Sequence, residues 1–401
     1  MRGGTADTDE ASPETASEAV SPWIGLALSG GGIRAAVFHL GVLRRLASEH
    51  LLESVSVVST VSGGSLITAA VMFSAGMKWP TSDEYLGSIY PKFRRRVTAG
   101  DLLSLKSIGW AGLGEFNLRL VRSRASVLAT MLERVWGVAG RLADMPDSPQ
   151  WLINTTCIDT GKNWRFSKQE MATGLLAAIT RPTCRWRSPS PRRQPCRTRS
   201  ARCRCRCPPR AGGRRIPPPA SRRARKRRQK RGCGSGTEAP TTTWVSRRCR
   251  SPGAACDFLI CSDASGPLRP PGGSPFAALI RGSLSSPRLF DVAGDQIRAL
   301  RSRMLIADIA AGTVEGVLLR MGNSVRAVDV KSGMTRPATF YDGFQSDEQA
   351  ELALRHPTDL KAPSEAQFDM LARHGFEIAD ATLTTYVPAR FPQSSSWGDC
   401  T

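Results

Sequence analysis

Two strand–turn–helix units in immediate succession constrain this chain more than any other feature. Trp23 to Leu28 is a short apolar run, Ser29-Gly30-Gly31-Gly32 breaks it, and from Ile33 the residues Ile33, Ala36, Val37, Leu40, Leu43 and Leu46 recur at helical spacing. The pattern repeats at once. Ser54 to Val61 alternates and is rich in Val, Ser62-Gly63-Gly64-Ser65 is a second small-residue turn, and Leu66 to Met72 opens an apolar helix. Consecutive units of this kind predict parallel strands covered by helices, an α/β fold. Further along, 80–150 reads as mostly helical. Trp151 to Ile158 reads as a strand with a turn at Asp159-Thr160-Gly161, and Met171 to Thr180 as a helix. Phe258 to Ser262 is a strand, and Ile297, Leu300, Met304 and Leu305 share one helical face. Ser364 and Gln367 form a capping box ahead of Phe368 and Leu371, with Gly375 closing that helix.

Charge divides the chain differently. The formal net charge is +22, yet Arg181 to Cys256 alone holds 24 Lys and Arg against one acid, Glu238. The remainder is therefore within one charge of neutral, and the basicity says nothing of nucleic-acid binding by the part that folds. The same block holds 8 of the 11 Cys and 11 of the 27 Pro, with Ile216 and Val245 its only Ile, Leu, Val or Phe. It is too poor in apolar surface to form a core and is expected to be disordered. It separates an N-terminal part (23–180) from a C-terminal part (257–401) of one domain. Residues 1–22 form a polar leader in which Asp7, Asp9, Glu10, Glu14 and Glu18 outweigh Arg2, unlike a secretory signal. No apolar run reaches the ~18 residues of a membrane span.

The first glycine turn leaves backbone N–H groups at a helix N-terminus free to meet an anion, with Arg34 adding positive charge; a phosphate or an acyl-transfer oxyanion would suit it. The second carries Ser62 two residues before Gly64, most of the nucleophile elbow G-x-S-x-G, with Thr60 in place of the first glycine. On adjacent parallel strands both turns reach the same sheet edge, where open α/β sheets bind ligands.

Together these motifs resemble the patatin-like phospholipases. Ser29-Gly30-Gly31-Gly32-Ile33-Arg34-Ala35 is similar to that family's G-G-G-x-[RK]-G, with Ala35 for the last glycine, and Thr60-Val61-Ser62-Gly63-Gly64 to its G-x-S-x-G. The resemblance implies a lipid acyl hydrolase of α/β fold with no cofactor or metal. Ser62 would be the nucleophile, Gly30, Gly31 and Gly32 with Arg34 the oxyanion site, and an Asp the base of a Ser–Asp dyad. No triad histidine is implied, and His39 and His50 read as surface or core-edge residues. A lipid or acyl ester substrate and a cytoplasmic location with peripheral membrane contact follow as expectations.

The family's third motif, D-G-[GA], is missing. Asp342-Gly343 is the only Asp-Gly pair; Asp342 and Asp263, which ends a strand, are the candidates left for the base. The gap coincides with the basic block, and genetic-code arithmetic accounts for it. Read one base earlier, the codons of residues 237–246 are compatible with Asp-Gly-Gly-Ala-Tyr-Asp-Asn-Leu-Gly-Leu: Thr codons yield N-A-C, and Trp244 followed by Val245 forces Gly. The block 181–256 thus reads as an out-of-frame translation, with activity of the chain as it stands in doubt. Two other readings stand beside it. Arg222 to Arg231 would serve as a nuclear-localisation or RNA-binding arm, although Trp186 and Trp244 offer little base stacking. Alternatively the fold would bind a lipid or partner without catalysis. Cys203, Cys205 and Cys207 lack the spacing of a zinc site.

Overall fold

A computed structural model of the chain describes residues 23–102, 128–129, 131–157, 163–173, 176–180, 198–199, 202–203, 233–234, 256–267 and 286–400. The leader, the turn at 159–161 and most of the 181–256 block lie outside the described residues.

Strand β1 (Ile24–Leu28) is buried throughout and leads through the glycine turn into α1 (Gly32–Ala47); β2 (Val55–Thr60) leads through the serine turn into α2 (Gly63–Ser74). Helical turns from Ser82 run into α3 (Tyr90–Ala99), and the other described helical pieces of 80–150 are short, at Leu132–Trp136 and Leu142–Asp144. Then come β3 (Gln150–Cys157), β4 (Asn163–Phe166), β5 (Glu170–Thr173) and β6 (Leu176–Thr180). Thr198–Arg199 (β7) and Arg202–Cys203 (β8) pair with each other, and Cys233–Gly234 (β9) pairs with the end of β3. The C-terminal part supplies β10 (Phe258–Asp263), α4 (Ser286–Ala310), β11 (Gly316–Arg320), α5 (Val325–Ser332), α6 (Asp347–Arg355) and α7 (Glu365–Tyr386).

The strands lie in the order β11-β10-β1-β2-β3-β4-β5-β6. The first five are mutually parallel, so the α/β architecture read from the two N-terminal units holds, and β4–β6 continue the sheet as an antiparallel meander. Here the expected helix over 171–180 is corrected to strand: Phe166 pairs with Met171, and Met171 with Ile179. An apolar run of ten residues does not choose between periods by itself. Gly174 weakens a helix there, and β4 offers an edge whose backbone groups need partners.

Alternation along the strands feeds two cores. Ile24, Leu26, Leu28, Phe258 and Ile260 join the cluster that includes α1 and α7; Ala27, Leu259 and Cys261 join Leu305 of α4. α1 and α7 cross closely. A Cβ on Gly41 would lie 1.8 Å from the Ala372 carbonyl oxygen, and one on Gly375 2.0 Å from that of Phe38. Gly375 therefore does not close its helix, as its sequence context suggested. It sits inside α7, which runs on to Tyr386, because the crossing needs a residue without a side chain. The Ser364–Gln367 capping box does begin that helix. Arg45, wholly buried, locks the pair through Asp380 at 2.6 Å; Ser394 Oγ and Ser395 N–H also donate to that carboxylate. The face expected on α4 also divides: Leu305 is buried, whereas Ile297, Leu300 and Met304 are about half exposed. No described helix is long and apolar enough to cross a membrane.

Candidate active site

The two turns meet at the C-terminal edge of β1 and β2. A Cβ on Gly63 would lie 2.4 Å from the Gly32 carbonyl oxygen, and one on Gly64 2.7 Å from that of Leu28. Val61 N–H donates to Leu28 O at 3.2 Å and Gly64 N–H to Ser29 O at 3.1 Å. Glycine at 63 and 64 is thus a packing requirement.

Ser62 caps α2 with φ 48° and ψ −116°, a conformation that costs a residue with a Cβ on the order of 1–3 kcal/mol. It is half-buried, and its hydroxyl has no hydrogen-bond partner among the described residues. The strain fits a serine held proud of the sheet edge. Thr60, where the elbow pattern has glycine, is wholly buried and accommodated: its Oγ1 accepts from Trp151 Nε1–H at 2.9 Å and shares a hydrogen bond with Ser65 Oγ at 2.8 Å.

In the first turn Gly31 has φ 145° and Gly32 φ 64°, both open to glycine. The N–H groups of Gly30, Gly31 and Gly32 have no acceptor among the described residues, and no acidic side chain occupies the first turn of α1. The neighbouring Ile33 N–H is taken by Asp359 O at 2.8 Å, which puts the segment after α6 against Gly32. Donors without an acceptor therefore lie in the turn that packs against Gly63, the residue after Ser62.

Arg34 lies beside the first turn, its Nη2 3.3 Å from where a Cβ on Gly31 would be, and it is also committed to a structural task. Its guanidinium donates to the carbonyls of Leu354 at 3.0 Å, His356 at 2.9 Å and Ala264 at 3.2 Å. It clamps the exit of β10 and the end of α6 to α1, satisfying the buried Ala264 carbonyl and two partly buried ones.

His39 is corrected from a surface or core-edge residue to a wholly buried one beneath the first turn. Ser29 O can only accept, so the Nε2 at 3.0 Å carries the proton; Nδ1, 2.9 Å from Ser262 Oγ, then accepts from that hydroxyl. Burial lowers the pKa of His39 to about 4 and keeps the ring neutral. Ser29 O thereby receives both His39 and Gly64, and ties the two turns to α1. His50, by contrast, is exposed on the surface, as expected.

Neither candidate Asp is brought to Ser62. Asp263 ends β10, on the far side of β1 from β2, two strand spacings or about 10 Å away. Its carboxylate accepts from Ser265 N–H at 3.1 Å, within its own loop. Asp342 lies in an exposed turn, Ala338–Gly343, whose Gly343 carbonyl is held by Arg373 of α7. Sequence reasoning missed Trp151, Asn154, Ser262 and the buried role of His39. Asn154 Nδ2 donates to Ser59 Oγ at 2.9 Å and Thr60 O at 3.2 Å, bracing β2 just before the elbow. No motif marks such residues, since they act across strands 91–223 positions apart.

Residues 26–181, which span both turns, match the family model described as patatin-like phospholipase. No curated protein matches the sequence. Among solved structures, human GIVD cytosolic phospholipase A2 is similar at 16% identity and TM-score 0.52, over 92% of this chain and 60% of that one. The same human enzyme in complex with methyl γ-linolenyl fluorophosphonate gives 15% identity and TM-score 0.51, over 92% and 59%. At such identities the likeness establishes the fold, and the chain spans about 60% of those proteins' length.

Proposed function

We propose that this chain carries the nucleophile and oxyanion half of a patatin-type lipid acyl hydrolase, lodged at the meeting of its two glycine-rich turns. The contact of Gly63 with Gly32 supports the reading, because it brings the serine turn against the glycine turn, whose N–H groups have no acceptor among the described residues. In the reaction, Ser62 Oγ attacks the ester carbonyl and a general base takes its proton. The N–H groups of Gly30–Gly32 and of Gly63 receive the negative charge on the former carbonyl oxygen. Collapse expels the alcohol with that proton, and water then attacks the acyl-serine by the same route. Substrate would reach the site from a membrane surface touched peripherally in the cytoplasm.

The base is the missing part. No carboxylate hydrogen-bonds Ser62 among the described residues, and the sequence lacks the family's Asp-Gly-[Gly/Ala]. In the shifted reading that motif starts at residue 237, three positions after β9, which pairs with the C-terminal end of β3. A catalytically idle lipid-binding role is the competing reading. The experiment is p-nitrophenyl ester hydrolysis by two chains: the unaltered 401-residue chain, and one whose 181–256 is replaced by the shifted-frame translation. Activity only in the second, abolished by Ser62→Ala, is expected. Two silent chains would favour the binding role.

A further inference from the structure

The outward face of α4 is apolar where a monomer's solvent face should be polar. Ala293, Ile297, Leu300, Met304 and Ala307 are all exposed, and their separations run 4, 3, 4, 3. That is the seam of a two-stranded coiled coil, with Ile297 and Met304 at one core position of the heptad and Ala293, Leu300 and Ala307 at the other. The opposite face, with Ser302 and Leu305 buried, already packs on β10 and β11, so the stripe is not a displaced core face. β11 is the last strand of the sheet, which leaves α4 at one end of the domain.

We propose that this stripe is a self-association surface, on which α4 of a second copy lies parallel and in register. The flanking charges select this occupant. In a parallel pair Arg303 of each copy falls opposite Asp308 of the other, five residues on, and the attraction occurs twice. An antiparallel pair with Leu300 level with Met304 would set Arg301 against its own copy. A lipid surface fits the stripe poorly for a geometric reason. As the crossover between parallel neighbours β10 and β11, α4 runs back antiparallel to the strands. A membrane along it would therefore follow the sides of the strands and not cap their C-terminal ends, where Ser62 sits. Twofold pairing through this face leaves both sites open at the same end of the assembly.

Sedimentation equilibrium of the full chain, from about 1 to 100 µM, tests this. The mass should rise from 43.4 kDa towards twice that value. Leu300→Glu, at an exposed position that does not endanger folding, should hold the chain monomeric throughout. Asp308→Arg should raise the dissociation constant at least about tenfold, and the exchange Arg303→Asp with Asp308→Arg should restore it. A monomer at every concentration, or a dimer indifferent to Leu300→Glu, overturns the surface; failure of the exchange overturns the parallel register. Binding to anionic vesicles that Leu300→Glu abolishes, in a chain monomeric without them, would assign the stripe to lipid instead.

Discussion

At the scale of single residues, the site rests on positions where a methyl group is too much. Gly63→Ala puts a Cβ 2.4 Å from the Gly32 carbonyl oxygen, and backbone must move to relieve it. The expected cost is roughly 1–3 kcal/mol in denaturant unfolding, with loss of any Ser62-dependent labelling by a fluorophosphonate. The buried histidines give a pH signature. His39 and His374 have folded pKa values lowered by burial to about 4 and about 3, from the ordinary 6.5. Between 6.5 and those values the unfolded chain binds protons that the folded one refuses, so stability falls as pH drops through this window and is intact above it. Thermal melts at pH 7, 5.5 and 4.5 should show a progressive decline. In His39→Gln, whose amide offers one donor and one acceptor, the decline should be smaller than in the native chain. A flat profile for the native chain would contradict the buried neutral rings.

At the scale of elements, the crossing of α1 and α7 holds the two sequence-distant parts together. Asp380→Ala would leave buried Arg45 with only Glu49 and the Gln393 carbonyl and should cost about 1.5–3 kcal/mol. The exposed pair Arg355–Glu351 should cost less than about 1 kcal/mol when broken, which makes it the control. Gly375→Val should be as damaging as the loss of Asp380, since its side chain would enter the Phe38 backbone. Equal, small effects of all three in urea unfolding would mean that α7 does not carry the fold.

At the scale of the whole molecule, the basic block is the feature to explain. If 181–256 is an out-of-frame translation, the gene must permit Asp-Gly-Gly across residues 237–239 in the shifted frame, and sequencing the transcript decides it. Protein carrying the shifted translation should hydrolyse esters with dependence on both Ser62 and the restored Asp. Inserting that tripeptide alone into the present block should do nothing. A base needs the strand that aims it as well as its carboxylate. Rapid hydrolysis by the unaltered chain, lost in Ser62→Ala, would show that another base serves.

Local pattern and contact across the chain contributed separately. The parallel units and both turns were legible in the sequence because strand, turn and helix periods are properties of neighbouring residues. So was the start of α7, since a capping box is complete within four positions. The sequence could not tell that Met171 to Thr180 would pair as strands, because an open edge next door decided between two periods. Nor could it reveal that Gly375 lies inside a helix, that Arg34 is a clamp, or that His39 is a buried neutral ring tying both turns to α1. Apart from the His39 bond to Ser29, ten residues away, those roles depend on partners 223 or more residues away, whose proximity exists only once β10, α6 and α7 have closed on α1.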